Sequence, residues 1–239
     1  MQHSFVRGRY RVRLAETEAE RDAAQRLRHR CFIGQEGRDA DRFDPHFDHI
    51  LVETAQGALV ATCRLHLLTC ERADAESYVA QFYDLSPLAG SGPMLELGRF
   101  CVEPSVRDAD VLRVVWGALA EIVDRTGARL LVGCTSFKGT DPKAFCHGFA
   151  HLNAHHCGPE ALRPRRKAPL CFDFPQAETD PKAASRELPS LLRTYLMMGG
   201  WVSDHGVIDP DMGTLHVFTA VPVAAISRAR ERSIRAACA

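Results

Sequence analysis

The apolar and polar positions along the chain follow two repeats. In some segments, such as 9–16, they alternate one by one, as in a strand with one buried face, and in others they recur with helical spacing. A capping box of Thr17 and Glu20 marks the start of the first helix. The predicted elements are a strand at 9–16, a helix at 17–32, hairpin strands at 49–54 and 59–68, a helix at 71–85, a strand at 92–104, a helix at 108–127, a strand at 128–137, a helix from 141, a helix at 188–200, a strand at 214–223 and a basic helix at 226–239.

Three segments between these elements are less regular. Residues 34–48 form a polar, aspartate-rich loop, and 158–184 is a proline-rich loop with the basic run RPRRK and a short strand at 170–174. Residues 201–213 receive no element. The C-terminal part of the chain is therefore predicted with less detail than the first 157 residues.

The order of the elements defines the fold class. Strands joined by crossover helices predict an α/β (α+β) fold with a mixed, twisted sheet, and the nearly continuous apolar run at 128–137 is typical of a buried parallel strand. A chain of 239 residues fits one domain. We expect an N-terminal core at 9–157, a basic and proline-rich loop region at 158–187, and a C-terminal helix, strand and basic tail at 188–239.

Composition narrows the class of protein. Basic and acidic residues balance at 30 each, so no overall field favours a nucleic acid partner. The N-terminus has no apolar run of signal-peptide length, and the apolar stretch at 215–226 is too short to cross a bilayer. The 9 cysteines include no CxxC pair and are expected to be reduced. We expect a cytoplasmic protein, with peripheral contact at the inner membrane face through the basic tail as an open alternative.

The strand MLELGRFCV at 94–102 carries the first chemical signal. Glu96 and Arg99 are charges within an apolar strand, and a bulge at Gly98 would bring them to one side. Buried charges are costly unless they are paired. Two interpretations stay open: a structural ion pair, or a substrate clamp with a general base.

This strand and its neighbours resemble the acyl-homoserine-lactone synthases. Those enzymes carry an Arg-x-x-x-Phe helix end, acidic residues in the next loop, an arginine on the third strand and E-x-x-R on the fourth. RLRHRCF, CRLH and ELGR follow that order here. The matching positions are Arg28, Phe32, Asp44, Asp48, Arg64, Glu96 and Arg99.

Longer motifs resemble the ornithine N-acyltransferases of ornithine-lipid synthesis. They are GRFCVEPSVRDADVLRVVWGAL, SFKGTDP and LPSLLRTYLMMGGWVSDHGVIDPDMGTLHVF. The resemblance implies the GNAT fold and transfer of a 3-hydroxyacyl group from an acyl carrier protein to the α-amine of ornithine, giving lyso-ornithine lipid. A sister group acylates glutamine, and the sequence does not separate the two acceptors.

The same resemblance implies which acyl donor the protein uses and which residues bind it. Acetyl-CoA enzymes of the GNAT fold hold a pyrophosphate on a glycine-rich loop after the fourth strand, whereas this chain has SVRDAD there, without glycine. The loop therefore fits the single phosphate of an acyl-phosphopantetheine on a carrier protein, which is the donor substrate, and we expect no separate cofactor. Residues expected to meet that phosphate or the acidic carrier protein, or else to be solvated surface charges, are Arg107, Arg113, Arg165, Arg166 and Lys167.

The reaction needs a base and an oxyanion site. Glu96 is the first candidate for general base and Asp48 the second. Backbone N–H groups near Phe100 and Cys101 are suited to hold the oxyanion. Arg64 and Arg99 are suited to grip the acceptor carboxylate, although Arg99 alternatively only positions Glu96.

Two further groups of residues bear on the chemistry: hydroxyls near the leaving thiolate, and histidines with the spacing of metal ligands. Ser136, or its neighbour Thr135, is the candidate proton donor for the thiolate, although a hydroxyl at a strand end also serves as a backbone hydrogen-bonding group. His147, His151 and His155 recur at four-residue spacing, but no HExxH carboxylate accompanies them, so we expect no metal. The alternatives to amino-acid acylation are lactone synthesis and a non-catalytic acyl-binding module.

Overall fold

The computed structural model describes residues 4–7, 9–69 and 72–235. The strands are β1 Ser4–Arg7, β2 Tyr10–Leu14, β3 Asp48–Thr54, β4 Leu59–Leu68, β5 Tyr83–Asp84, β6 Met94–Val102, β7 Leu130–Lys138, β8 Arg165–Arg166, β9 Cys171–Asp173, β10 Trp201–Asp209 and β11 Thr214–Pro222. The helices are α1 Glu18–Ile33, α2 Ala73–Glu76, α3 Ala109–Thr126, α4 Cys146–His155, α5 Pro181–Glu187, α6 Ser190–Met197 and α7 Arg228–Arg235. None of the helices formed by the described residues has the length and apolar character that a bilayer crossing requires.

The chain divides into two compact units, and β6 contributes to both. Unit 1 contains the described residues up to Leu67, then Leu97–Gly127 and the described residues from Arg228; unit 2 contains the described residues of Leu68–Glu96 and Ala128–Ser227. This division does not follow the boundaries expected at 157 and 187, because each unit draws on separated stretches of the chain. The single domain stays a prediction.

Unit 1 is an antiparallel meander covered by helices. Strands β1 to β4 pair in order, each antiparallel to the next. The predicted capping box is present: the Glu20 N–H donates to Thr17 Oγ1 at 3.3 Å, and α1 ends at Gly34 in the left-handed region (φ 78°). Buried side chains of β2 and β3, such as Val12 and Ile50, pack under α3, as the alternating pattern predicts.

Unit 2 holds the parallel part of the sheet. The beginning of β6 pairs in parallel with β7, from Met94 opposite Leu130 to Glu96 opposite Val132. Strand β7 then pairs antiparallel with β11, β11 with β10, and β10 with β9. The predicted mixed α/β fold, with helices flanking a mixed sheet, is confirmed.

Two local predictions are wrong, and one segment without a predicted element forms a strand. The helix expected at 71–85 is only the four-residue α2, a 3-10 turn and β5, because Tyr83 is fully buried and its hydroxyl donates to the His216 carbonyl at 3.1 Å. Residues 201–213, left unassigned, contain β10, which is held between β9 and β11. The loop at 158–184 also contains β8 and the start of α5, where Asp180 caps the first turn.

Candidate active site

A buried cluster of alternating charges lies in unit 1. Helix α1 supplies one arginine, the loop before β3 supplies three aspartates, β4 supplies a second arginine and β6 a third. The members are Arg28, Asp39, Asp41, Asp44, Arg64 and Arg99. With three guanidinium groups and three carboxylates, the cluster is formally neutral.

The inner part of the cluster is centred on Asp44. Arg28 donates to both carboxylate oxygens of Asp44, at 2.8 and 3.2 Å, and Arg64 Nη1 donates to Oδ1 at 2.8 Å. The Gln25 amide and the Asp41 backbone N–H add bonds of 3.0 Å each. The side chains of Arg28 and Arg64 are 0% and 1% exposed, so this part of the cluster is sealed from water.

The outer part of the cluster is more open and its bonds are longer. Arg99 Nε donates to Asp39 Oδ2 at 3.1 Å, and Arg99 Nη2 donates to Asp41 Oδ2 at 3.4 Å. The Arg99 side chain is 12% exposed and that of Asp41 22%. Solvent, and therefore a small polar ligand, reaches this part of the cluster more readily than Asp44.

The backbone of β6 is irregular at Arg99. Its φ of 52° lies in the left-handed region, which costs energy for a residue with a side chain, and its ion pairs to Asp39 and Asp41 help to hold it there. The sequence predicted a bulge at Gly98, which has no positive φ. The irregular backbone therefore lies one residue later than predicted, at the charged residue Arg99.

The arginines keep the aspartates ionised. Burial by itself raises the pKa of Asp44, but the hydrogen bonds and charge of Arg28 and Arg64 outweigh it and hold that pKa well below its usual range. Asp41 shows the same balance, with Arg64 lowering its pKa against burial. Carboxylates with lowered pKa values are weak proton acceptors, so these two groups are suited to positioning rather than to general base catalysis.

These pKa shifts predict a loss of stability in acid. A carboxyl whose pKa is lower in the folded chain stabilises it at pH values above the unfolded pKa of about 3.9, and that stabilisation is lost as the pH falls below this value. We therefore expect Asp41→Asn to make the free energy of unfolding less steeply dependent on pH between about pH 5 and about pH 3. Urea denaturation across that range measures it, with the exposed Asp48→Asn as control. Equal slopes in both variants would contradict the prediction.

Three residues at this site, beginning with His49, were missed from the sequence. His49 is 1% exposed on β3, opposite Arg64, and its Nε2 lies 3.7 Å from Asp44 Oδ1. Burial is the main cause that lowers the pKa of His49, which favours the neutral ring. Asp39 and Asp41 were also missed. The aspartate-rich loop was their only signal. Of the two aspartates that the resemblance matched, Asp44 lies in the cluster, whereas Asp48 is exposed at the start of β3.

Glu96 belongs to unit 2 and is also buried. Its side chain is 1% exposed, and Oε1 accepts the backbone N–H of Val79 at 3.0 Å. The carboxylate therefore has a fixed orientation at the point where β6 pairs with β7.

The other expected site residues differ in accessibility. Cys101 is 6% exposed, Phe100 is half-buried, and Phe32 is 40% exposed at the end of α1. Ser136 is exposed on β7, whereas the Thr135 hydroxyl is buried and lies 2.9 Å from the hydroxyl of Thr219.

The expected donor-side residues lie on the surface, and several are ion-paired. Arg107 and Lys167 are exposed. Arg113 bonds Asp110 at 2.7 Å on the first turn of α3. In the RPRRK run, Arg165 lies 3.9 Å from Asp84, and Arg166 pairs with Asp173.

Comparisons with known proteins define the class. A family profile described as an acetyltransferase (GNAT) domain matches residues 9–117. The solved structure of FeeM, an N-acyl amino acid synthase from uncultured soil microbes, matches with a TM-score of 0.55 and 13% identity over 94% of this chain and 98% of that one. TofI in an apo form matches with a TM-score of 0.52 and 18% identity over 97% and 100%. The matched domain and the shared architecture show that this chain has the GNAT fold.

Curated relatives define the family. An L-ornithine N(alpha)-acyltransferase of Rhodobacter capsulatus is 34% identical over 91% of this chain and 92% of its own length. Another from Brucella abortus is also 34% identical, over 92% and 86%. The chain belongs to the L-ornithine N(alpha)-acyltransferase family, as its motifs predicted.

Proposed function

We propose that this protein transfers a 3-hydroxyacyl group from an acyl carrier protein to the α-amine of ornithine, giving lyso-ornithine lipid. The observation that carries the proposal is its similarity, over about nine tenths of the chain, to relatives named L-ornithine N(alpha)-acyltransferase. The buried charge cluster of unit 1 supports an amino-acid acceptor for a physical reason. An amino acid carries both a carboxylate and an ammonium group, and the cluster contains partners for each.

The outer part of the cluster is the better candidate for acceptor binding. Its bonds, from Arg99 to Asp39 and Asp41, are longer than the shortest inner ones and more accessible. The carboxylate of a bound amino acid can replace an aspartate at the guanidinium of Arg99, and an ammonium group can take the place of Arg99 at Asp41. Arg28, Arg64 and Asp44 then keep the outer residues in position. This assignment favours Arg99 over the sealed Arg64 as the direct carboxylate ligand.

The reaction is an aminolysis of a thioester. The deprotonated α-amine attacks the thioester carbonyl carbon, the C–S bond breaks, an amide forms and the phosphopantetheine thiol leaves with a proton. Glu96 is proposed as the base, and backbone N–H groups of Phe100 and Cys101 as oxyanion donors.

The product identifies the function directly. We would express the protein in a host that lacks amino-acid lipids and examine the lipid extract by mass spectrometry. N-acyl ornithine supports the proposal, whereas N-acyl glutamine changes the acceptor and a lactone changes the class of product. With folded protein and donor present, the absence of any new species would contradict acyl transfer to a common amino acid.

The basic run predicts a preference between donors. Exchanging Arg165, Arg166 and Lys167 for Glu should lower kcat/KM for the acyl carrier protein by about tenfold or more, because an acidic partner is repelled, and leave an equivalent acyl-CoA nearly unaffected. The effect should shrink with added salt.

A matched variant controls for charge alone. Lys138, Lys143 and Lys182 are exposed in the same unit, and exchanging them for Glu changes the net charge equally. An equal loss in both triple variants, or an equal loss with both donors, would remove the docking role of the RPRRK run.

A further inference from the structure

A second group of reactive side chains lies in unit 2. Cys146 and His147 are the first two residues of α4, and Glu187 is the last residue of α5, which packs against α4. Each residue offers one ligand atom: the thiol sulfur, a ring nitrogen and a carboxylate oxygen. These three atoms lie within 4.8 Å of one another. Atoms bound to one tetrahedral zinc ion are about 3.5 Å apart, so these three are at most about 1.3 Å farther from one another than in a bound set.

The backbone fixes this arrangement. Asp141 and Pro142 begin a 3-10 turn that leads into α4 and places Cys146 at its first position. Glu187 Oε2 accepts the backbone N–H of Gly148 at 2.6 Å, which holds the carboxylate over the first turn of α4. A Cβ at Gly148 would lie 3.3 Å from the Cβ of Glu187, so the glycine permits this close approach.

Two of the three groups have no competing partner. Cys146 is exposed as a free thiol and His147 is half-buried, and neither side chain makes a hydrogen bond or an ion pair with any residue that the structure describes. A thiolate, an imidazole and a carboxylate are the ligand types of zinc sites, and the sulfur disfavours magnesium and calcium. Three protein ligands leave the fourth position for water.

We propose that Cys146, His147 and Glu187 form a zinc-binding site. This revises the expectation of no metal, which considered the helical repeat of His147, His151 and His155. The proposed set shares only His147 with that repeat. A bound ion links the start of α4 to the end of α5, and therefore stabilises unit 2.

Cobalt is the probe, because a thiolate ligand gives Co²⁺ a charge-transfer absorption band. The full-length protein, freed of any affinity tag and treated with a chelator, should bind one Co²⁺ with this band, and Zn²⁺ should displace it and raise Tm. Cys146→Ser, a conservative change at an exposed position, should abolish the band. Glu187→Gln should weaken binding by about tenfold or more.

His155→Ala is the matched control, since His155 is exposed on the same helix outside the proposed set. This variant should keep the affinity and the band. If Cys146→Ser retains the band, or if His155→Ala loses as much affinity as Glu187→Gln, the proposed site is wrong. The measurement does not use acyl transfer, so it stands apart from the proposed function.

Thiol protection gives an independent measurement. Cys146 is the exposed cysteine among the described residues, and exchanging Cys70 and Cys238, which lie outside them, for Ser simplifies the labelling. Zn²⁺ should slow the alkylation of Cys146 by about tenfold or more, as read by peptide mass mapping, and His147→Ala should remove that protection. An unchanged alkylation rate would overturn the proposal.

Discussion

Asp44→Asn is expected to lower the free energy of unfolding by about 3–5 kcal/mol, the usual effect of removing one partner from a buried ion pair. The carboxylate of Asp44 accepts hydrogen bonds from Arg28 and Arg64, both almost fully buried. An amide cannot neutralise them, and its NH2 group would face a guanidinium donor. Urea denaturation at neutral pH measures the change.

The control for this prediction is Asp48→Asn in the same segment. Asp48 is exposed, and its exchange should change the free energy of unfolding by no more than about 0.5 kcal/mol. Comparable losses in the two variants would mean that the cluster is not the reason for the effect. A folded Asp44→Asn variant of unchanged stability would show that the inner bonds contribute little net free energy.

Glu96→Gln is expected to lower kcat by about 100-fold or more while the chain stays folded. The amide oxygen of Gln can still accept the Val79 N–H, so the local hydrogen bond survives while the proton acceptor is lost. Turnover with acyl carrier protein and ornithine should also be measured across pH. The rise in kcat that accompanies deprotonation of the base should be absent from the pH profile of this variant. Circular dichroism and Tm verify that the variant folds.

Asp48→Asn again provides the comparison, since Asp48 was the second candidate for the base. Unchanged turnover in Glu96→Gln with a large loss in Asp48→Asn would transfer that role to Asp48. Unchanged turnover in both would leave Glu96 as the acceptor that holds the 3-10 turn at Val79. Asp48 is exposed and Glu96 is buried with a fixed orientation, so we expect the loss at Glu96.

The sequence by itself determined the elements whose signals are local. The capping box of Thr17 and Glu20 marks the start of α1 correctly. Charges in the apolar run of β6 drew attention to Glu96, which is 1% exposed, and to Arg99, which forms ion pairs with Asp39 and Asp41. These inferences succeed because a cap, a turn or a buried charge leaves its mark within a few residues.

Only the tertiary structure decided which charges meet. Asp39 and Asp41 complete the cluster. No periodicity in the sequence distinguishes them from Asp48 in the same polar segment. Their positions depend on the register of β3 against β4 and on the packing of α1 on β3. Likewise Tyr83 lies in β5 rather than in a helix because it fills the core of unit 2. Local sequence patterns report the burial of each position, but contacts between distant residues depend on how the strands and helices pack.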